Sequence, residues 1–128
     1  DFWGVAGTII DVRAQMGKDS TYHYNPKADL LTFKEHGEHG RNCKKHPDAE
    51  KPSGEWNTID LYCFDGTSVH VVNGTVTMIL NNSRHVGEDG KEFPLRKGKI
   101  ELQSESAEVF YKDIKVRPIK SLPDRFKE

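Results

Sequence analysis

The chain is poor in cysteine, carries no block of like charge, has no long apolar run, and nowhere keeps a helical period over ten or more residues. Each of these absences excludes something. Two cysteines, Cys43 and Cys63, allow one disulfide at most. Cys63 lies on the apolar parity of its segment, so it reads as a buried small hydrophobe and not as half of a bridge. The 19 basic and 20 acidic residues are scattered and leave a net charge of −1, so there is no basic stripe of the kind that tracks phosphates. Nucleic acid is therefore not an expected partner. No apolar stretch approaches the roughly 20 residues that span a bilayer, and no charged-then-apolar leader opens the sequence. It reads as a mature or trimmed soluble protein with no membrane insertion. At 128 residues it forms one domain, 1–128, polar for its size with 34% hydrophobic residues.

What is present is a β-pattern, centred on GEWNTIDLYCFDGTSVHVVNGTVTMILNN from Gly54 to Asn82. Asp65-Gly66 and Asn73-Gly74 each separate runs of β-branched and aromatic residues, the strongest short-range hairpin signal a sequence offers. Three consecutive antiparallel strands follow. Ile59, Leu61 and Cys63 share one parity, Val69 and Val71 another, and Val76, Met78 and Leu80 a third, so each strand is expected to bury one face and present the other.

Upstream, Asp1 to Arg13 predicts one or two strands, broken at Ala6-Gly7. Gln15 to Pro26 predicts a loop around a short TYHY segment, and Leu30, Leu31 and Phe33 predict a short strand. The tract from Lys34 to Gly54 predicts an exposed loop. Downstream, Arg84 to Gly98 predicts another long loop, Ile100 and Leu102 a strand, Ala107 to Val116 a final strand with a bulge, and Ser121 to Glu128 a polar tail. Seven or so short strands joined by turns make the class all-β and the architecture a sandwich.

Several residues could carry chemistry, and each has a plainer reading. His36, His39, Cys43 and His46 offer ligand types that zinc prefers at tetrahedral spacing, but a solvated His-, Lys- and Glu-rich loop explains them without metal. Asn73-Gly-Thr75 and Asn81-Asn-Ser83 fit the glycan acceptor pattern, and Asn73-Gly74 is already explained as a turn. His70 sits mid-strand opposite Val69 and Val71 in parity, as a cross-strand hydrogen-bonding group or a functional imidazole. Glu105 and Glu108 bracket a turn-like Ser106-Ala107, either a solvated pair or an acid/base pair. Trp56 is a core anchor or a platform for a pyranose face.

GEWNTIDLYCFDGTSVHVVNG resembles the Gly-Glu-Trp-Asn strand and the His-x-x-Asn-Gly hairpin of the 3-keto-disaccharide hydrolase domain family, and EKPSGEWN resembles its lead-in. KGKIELQSESAEVFYKDIKVRPI is similar to the closing pattern of the same family. Together these cover roughly half of the chain. The resemblance implies a concanavalin-A-like jelly-roll β-sandwich of which this chain is the C-terminal part. Where many members carry Asp-His-Gly after Leu-Gln, this chain has Ser104, Glu105 and Ser106, so a carboxylate stands in place of an imidazole.

The activity implied by the resemblance is hydrolysis or lysis of glycosides already oxidised at C3. The ketone acidifies the C2 hydrogen, a base removes it, and the C1 substituent leaves. On this reading His70 and Glu105 are the catalytic residues and the possible ligands of a divalent metal ion, with no organic cofactor. Trp56, Asn57, Asn73 and Gln103 bind the sugar. A periplasmic or extracellular location is expected, and a homo-oligomer is possible. The alternative is a non-catalytic carbohydrate-binding β-sandwich module.

Overall fold

A computed structural model of the chain describes residues 2–3 and 7–127. The parts of the N-terminal strand reading that fall on Asp1 and on 4–6 lie outside the described residues. The strands are β1 (Phe2–Trp3), β2 (Thr8–Met16), β3 (Tyr22–Tyr24), β4 (Leu30–Phe33), β5 (Asn42–Cys43), β6 (Ile59–Phe64), β7 (Thr67–Val72), β8 (Thr75–Val86) and β9 (Glu92–Pro94). A single 3-10 turn covers Asp124–Phe126. The fold is all-β, with antiparallel pairing between its strands, as a jelly-roll sandwich requires.

The two glycine turns do what their residue types dictate. Phe64 pairs with Thr67 and Val72 with Thr75, which leaves two-residue loops. Asp65 and Gly66, and Asn73 and Gly74, all take positive φ, the geometry that matches a turn to the right-handed twist of the flanking strands. The meander β6–β7–β8 continues through β2 to β3 and β4, giving a sheet ordered β3-β2-β8-β7-β6 in which β4 also pairs with β2 and β9 with β8. β1 and β5 form a separate pair.

Two bulges shape β8. In the first, Thr77 is the extra residue between the pairs His70↔Met78 and Val71↔Val76. Its groups are nonetheless satisfied, since its hydroxyl lies 3.3 Å from the His70 carbonyl and its carbonyl accepts from the His46 N–H at 3.0 Å. The second lies where β8 meets β2, with a register shift between Ile9 and Asp11 and with Asn82 at φ 49°.

The core gathers Ile10, Val12, Ala14, Tyr24, Phe33, Cys43, Val69, Val71, Met78, Ile79, Leu80 and Phe126. Removing Val12 and Phe33 wholly from water stabilises the fold by about 2–3 kcal/mol each before chain entropy is counted.

Burial departs from simple alternation in two strands. In β8 the consecutive residues Thr77, Met78, Ile79 and Leu80 are all buried, so this central strand is covered on both faces. In β6 the parity is the reverse of the expected one. Ile59, Leu61 and Cys63 are exposed, while Tyr62 points inward and packs its ring 4.8 Å from that of Phe126. β6 is the last strand of the sheet, and it turns toward the core the one ring that Phe126 can meet.

Elsewhere β4 falls where expected, whereas the predicted 15–26 loop contains the strand β3 at Tyr22–Tyr24. β8 runs on to Val86 and pairs there with β9, so the predicted 84–98 loop contains a hairpin. β5 arises inside the predicted 34–54 loop. The strands predicted at 100–103 and 107–116 do not form a ladder with any described residue. The tail is not simply polar, because Phe126 is buried.

Candidate functional site

The 49–57 loop is tied to the β7–β8 turn by side-chain amides. Asn73 Nδ2 donates to the Ala49 carbonyl and to Asn57 Oδ1, both at 2.8 Å, and Asn73 Oδ1 accepts from the Thr58 N–H at 3.0 Å. Asn57 Oδ1 also accepts from the Lys51 N–H at 2.8 Å. Asn57 and Asn73 are thus brought together, but Asn73 has spent both ends of its amide inside the protein.

Trp56 is half exposed, with Lys112 Nζ 4.1 Å from its ring centroid. One face of the indole is covered by a cation from the 96–118 segment.

His70 lies on the β6–β7–β8 face opposite Val69 and Val71, paired with Leu61 on one side and Met78 on the other. Burial holds its pKa below the ordinary histidine value, which favours the neutral imidazole, an acceptor of protons. Ser68 Oγ is 3.4 Å from its Nε2.

Gln103 and Glu105 are both exposed, and the Gln103 amide donates to Glu105 Oε2 at 3.2 Å. Tyr111 donates its hydroxyl proton to the Gln103 carbonyl at 2.6 Å, and Ser104 donates to the Ala107 carbonyl at 2.6 Å. These bonds form a loose bend, with Ser106 at φ 60°. No hydrogen bond or ion pair joins His70 to Glu105.

Among the described residues no three His, Cys, Asp or Glu side chains converge as a metal cage would require. The His36–His46 cluster is dispersed. His36 is on the surface beside Glu35, and His39 packs edge-on against Tyr22. Cys43 is buried with its thiol pushed up to about 12 by desolvation, and His46 lines a separate cleft. Both cysteines are free.

A polar cluster absent from the sequence reading forms at the second bulge of β8. Asp11 Oδ2 accepts from Arg84 Nη1 at 3.2 Å and from Asn82 Nδ2 at 3.1 Å, while its Oδ1 accepts from Thr32 Oγ1 at 2.9 Å. Arg84 Nε donates in turn to Glu92 Oε2 at 3.3 Å. Asn82, Arg84, Glu92, Pro94 and Arg96 line a cavity of about 420 Å³ beside it. These residues span four strands, and only Asn82, a turn-prone residue inside an apolar-to-polar run, hints at the bulge locally.

The alternating strands, the Gly-Glu-Trp-Asn loop and the His-x-x-Asn-Gly turn are thus joined in one sheet. The family model of the 3-keto-alpha-glucoside-1,2-lyase-like domain matches residues 3–117. The chain belongs to this family. Comparison with curated proteins and with solved structures returns no match. Membership of the 3-keto-alpha-glucoside-1,2-lyase-like family points to a carbohydrate-active protein and a sugar as its substrate. Among the described residues no helix is long and apolar enough to cross a membrane.

Proposed function

We propose that this chain takes part in cleaving 3-keto-glycosides, by removal of the C2 proton and loss of the C1 substituent. The observation that carries the reading is the family match over residues 3–117. In the proposed reaction the C3 ketone makes the C2–H bond acidic. Neutral His70 takes that proton, and the electron pair moves through the enolate to expel the C1 oxygen as the aglycone, leaving an enone. The departing oxygen takes its proton from water, and Glu105 is the carboxylate that positions this water. Addition of water across the enone gives net hydrolysis; release of the enone gives lysis.

His70 suits the role of base because burial favours its uncharged form. Glu105 lies on the exposed 96–118 segment, so the proposal requires this segment to bring it to the sugar bound at Trp56 and Asn57. A divalent ion, held by His70 and Glu105, belongs to the proposal as an expectation only. Two side chains without a third donor do not make a cage, and no step above depends on one. A periplasmic or extracellular site of action belongs to the same reading, since glycans of this kind are met there.

The second reading, a non-catalytic sugar-binding module, is favoured by the absence of any contact between His70 and Glu105. The test is to incubate the protein with a 3-keto-glycoside, with and without chelator, and follow aglycone release. The lyase reading expects turnover that falls by about 100-fold or more in His70→Ala and in Glu105→Ala. Undiminished turnover in both variants would remove the assignment. Saturable binding of unoxidised glycoside without turnover would establish the module.

A further inference from the structure

A second cleft lies away from His70. Arg13, His46, Arg125 and Lys127 contribute to its lining, and among the described residues that line it none is acidic. Its volume of about 540 Å³ falls in the range of small-molecule sites, about 300–1,000 Å³. The floor is apolar and includes Val76, Ile79 and Phe126. Val76 pairs with Val71 and Ile79 with Val69, and Phe126 packs on Tyr62, the partner of Val69. All three floor residues therefore lie on the side of the sheet opposite His70, and the sheet itself separates this cleft from the candidate catalytic face.

The cleft is assembled from distant parts of the chain. β2 supplies Arg13, β8 the aliphatic floor, and the terminal turn Arg125 and Phe126. The guanidiniums are fixed in different ways. Arg13 Nη1 donates to the Ala28 carbonyl at 3.1 Å. The guanidinium of Arg125 lies over the Phe126 ring, 4.6 Å from its centroid, and Nη2 donates to the Tyr62 hydroxyl at 3.4 Å. These partners of Arg125 are neutral. Stacking on a ring uses the face of a guanidinium and leaves the N–H groups at its edge to meet a planar anion. Lys127 differs, since its Nζ is 2.5 Å from Asp124 Oδ1 and its charge is met there.

We propose that this cleft binds a sugar bearing an anionic group, a carboxylate or a phosphate ester, with the anion at Arg125 and Arg13 and the ring over the apolar floor. A cleft lined by one sign of charge focuses its field and concentrates counter-ions. The floor selects a body behind the charge, because an inorganic ion would leave Val76, Ile79 and Phe126 uncovered. Family membership makes that body a sugar. The proposal rests on this sugar reading and not on cleavage at His70, which lies on the other face.

The test titrates the 128-residue chain with glucuronate, glucose 6-phosphate, glucose and inorganic phosphate, following backbone amide shifts by NMR. The expected result is saturable binding of an anionic sugar with Kd of about 1 mM, at least about 10-fold tighter than glucose or inorganic phosphate. The shifts should gather at Ile79, Arg125 and Phe126. Tighter binding of glucuronate identifies a carboxylate as the anion, and tighter binding of glucose 6-phosphate a phosphate ester. Arg125→Gln and Arg13→Gln should each weaken binding by about 10-fold or more, the worth of a charge-assisted hydrogen bond. Lys18→Gln, the same loss of charge on the exposed turn between β2 and β3, should leave it unchanged. Arg125 is itself exposed, and far-UV spectra show whether its variant keeps the fold. Glucose or inorganic phosphate binding as tightly as the anionic sugars overturns the proposal, as does an affinity that survives Arg125→Gln in a folded chain. Absence of saturable binding overturns it too. His70→Ala should bind the anionic sugar as the parent does, so a failure of 3-keto-glycoside cleavage and a failure of this site are read separately.

Discussion

Asn73 and Asn57 share a hydrogen bond of 2.8 Å that joins the turn of one hairpin to the loop preceding the other strand. This makes Asn73 a brace, held also by the Ala49 carbonyl and the Thr58 N–H.

Replacing Asn73 with Ala removes those bonds and puts a β-carbon at φ 48°. A loss of about 2 kcal/mol in urea unfolding is expected. Asn73→Gly should recover part of it, because glycine relieves the backbone conformation but restores no bond. If the two variants are equally stable, the backbone conformation contributes nothing; if Asn73→Gly is as stable as the parent, the side-chain bonds contribute nothing. The same brace leads us to expect no glycan on Asn73, since its amide nitrogen is already a donor twice over.

Asp11 and Arg84 form an ion pair in which each side chain is about 85% covered, with 14% and 15% exposed. Asp11→Ala should cost about 3 kcal/mol by leaving a covered guanidinium with Glu92 as its one remaining carboxylate. Asp11→Ala combined with Arg84→Met should cost less than the sum of the single changes. Additive losses in the double-mutant cycle would show that the pair is not coupled.

His70 gives stability a pH dependence of known sign. Burial lowers its folded pKa below the ordinary 6.5, so the unfolded chain binds the proton more readily. Stability from this group is therefore complete above 6.5 and declines as pH falls through 6.5 toward the lowered folded value. The difference in unfolding free energy between the parent and His70→Gln, measured at pH 8 and at pH 5, should shrink at the lower pH. A difference that stays constant means that His70 titrates alike in both states.

Phe126 closes the inner side of β6 against Tyr62. Phe126→Ala should cost about 3 kcal/mol, a large effect for a residue so near the end of the sequence. Thermal unfolding that is unchanged by the substitution would mean that the terminal turn does not pack.

The hairpins were legible because Asp-Gly and Asn-Gly act locally, and a turn needs only its own four residues. The inner side of β6 was not, because Ile59, Leu61 and Cys63 look more apolar than Tyr62. What chooses between the faces is Phe126, more than sixty residues away. The double burial of Thr77 to Leu80 was hidden for a related reason, since alternation reports one covered face and is silent on a second layer. Of the site, the sequence named Asn57 and Asn73 as sugar-binding residues but gave no sign that the two hydrogen-bond to one another. The Asp11–Arg84 cluster could not be read at all, because 73 positions separate its charges and a bulge brings them level. Ile100–Gln103 and Ala107–Val116 have the composition of strands, yet a strand is a relation between two segments and they have no partner among the described residues.

The contrast between the two thiols makes the molecule report on its own opening. Cys43 is 1% exposed in the core, with its thiol pushed up to about 12, whereas Cys63 stands exposed on an edge strand. A chromogenic disulfide reagent will titrate Cys63 promptly and Cys43 only when β5 comes away from the core. The second phase of colour therefore times the escape of a particular strand, without a label, a tag or a substitution.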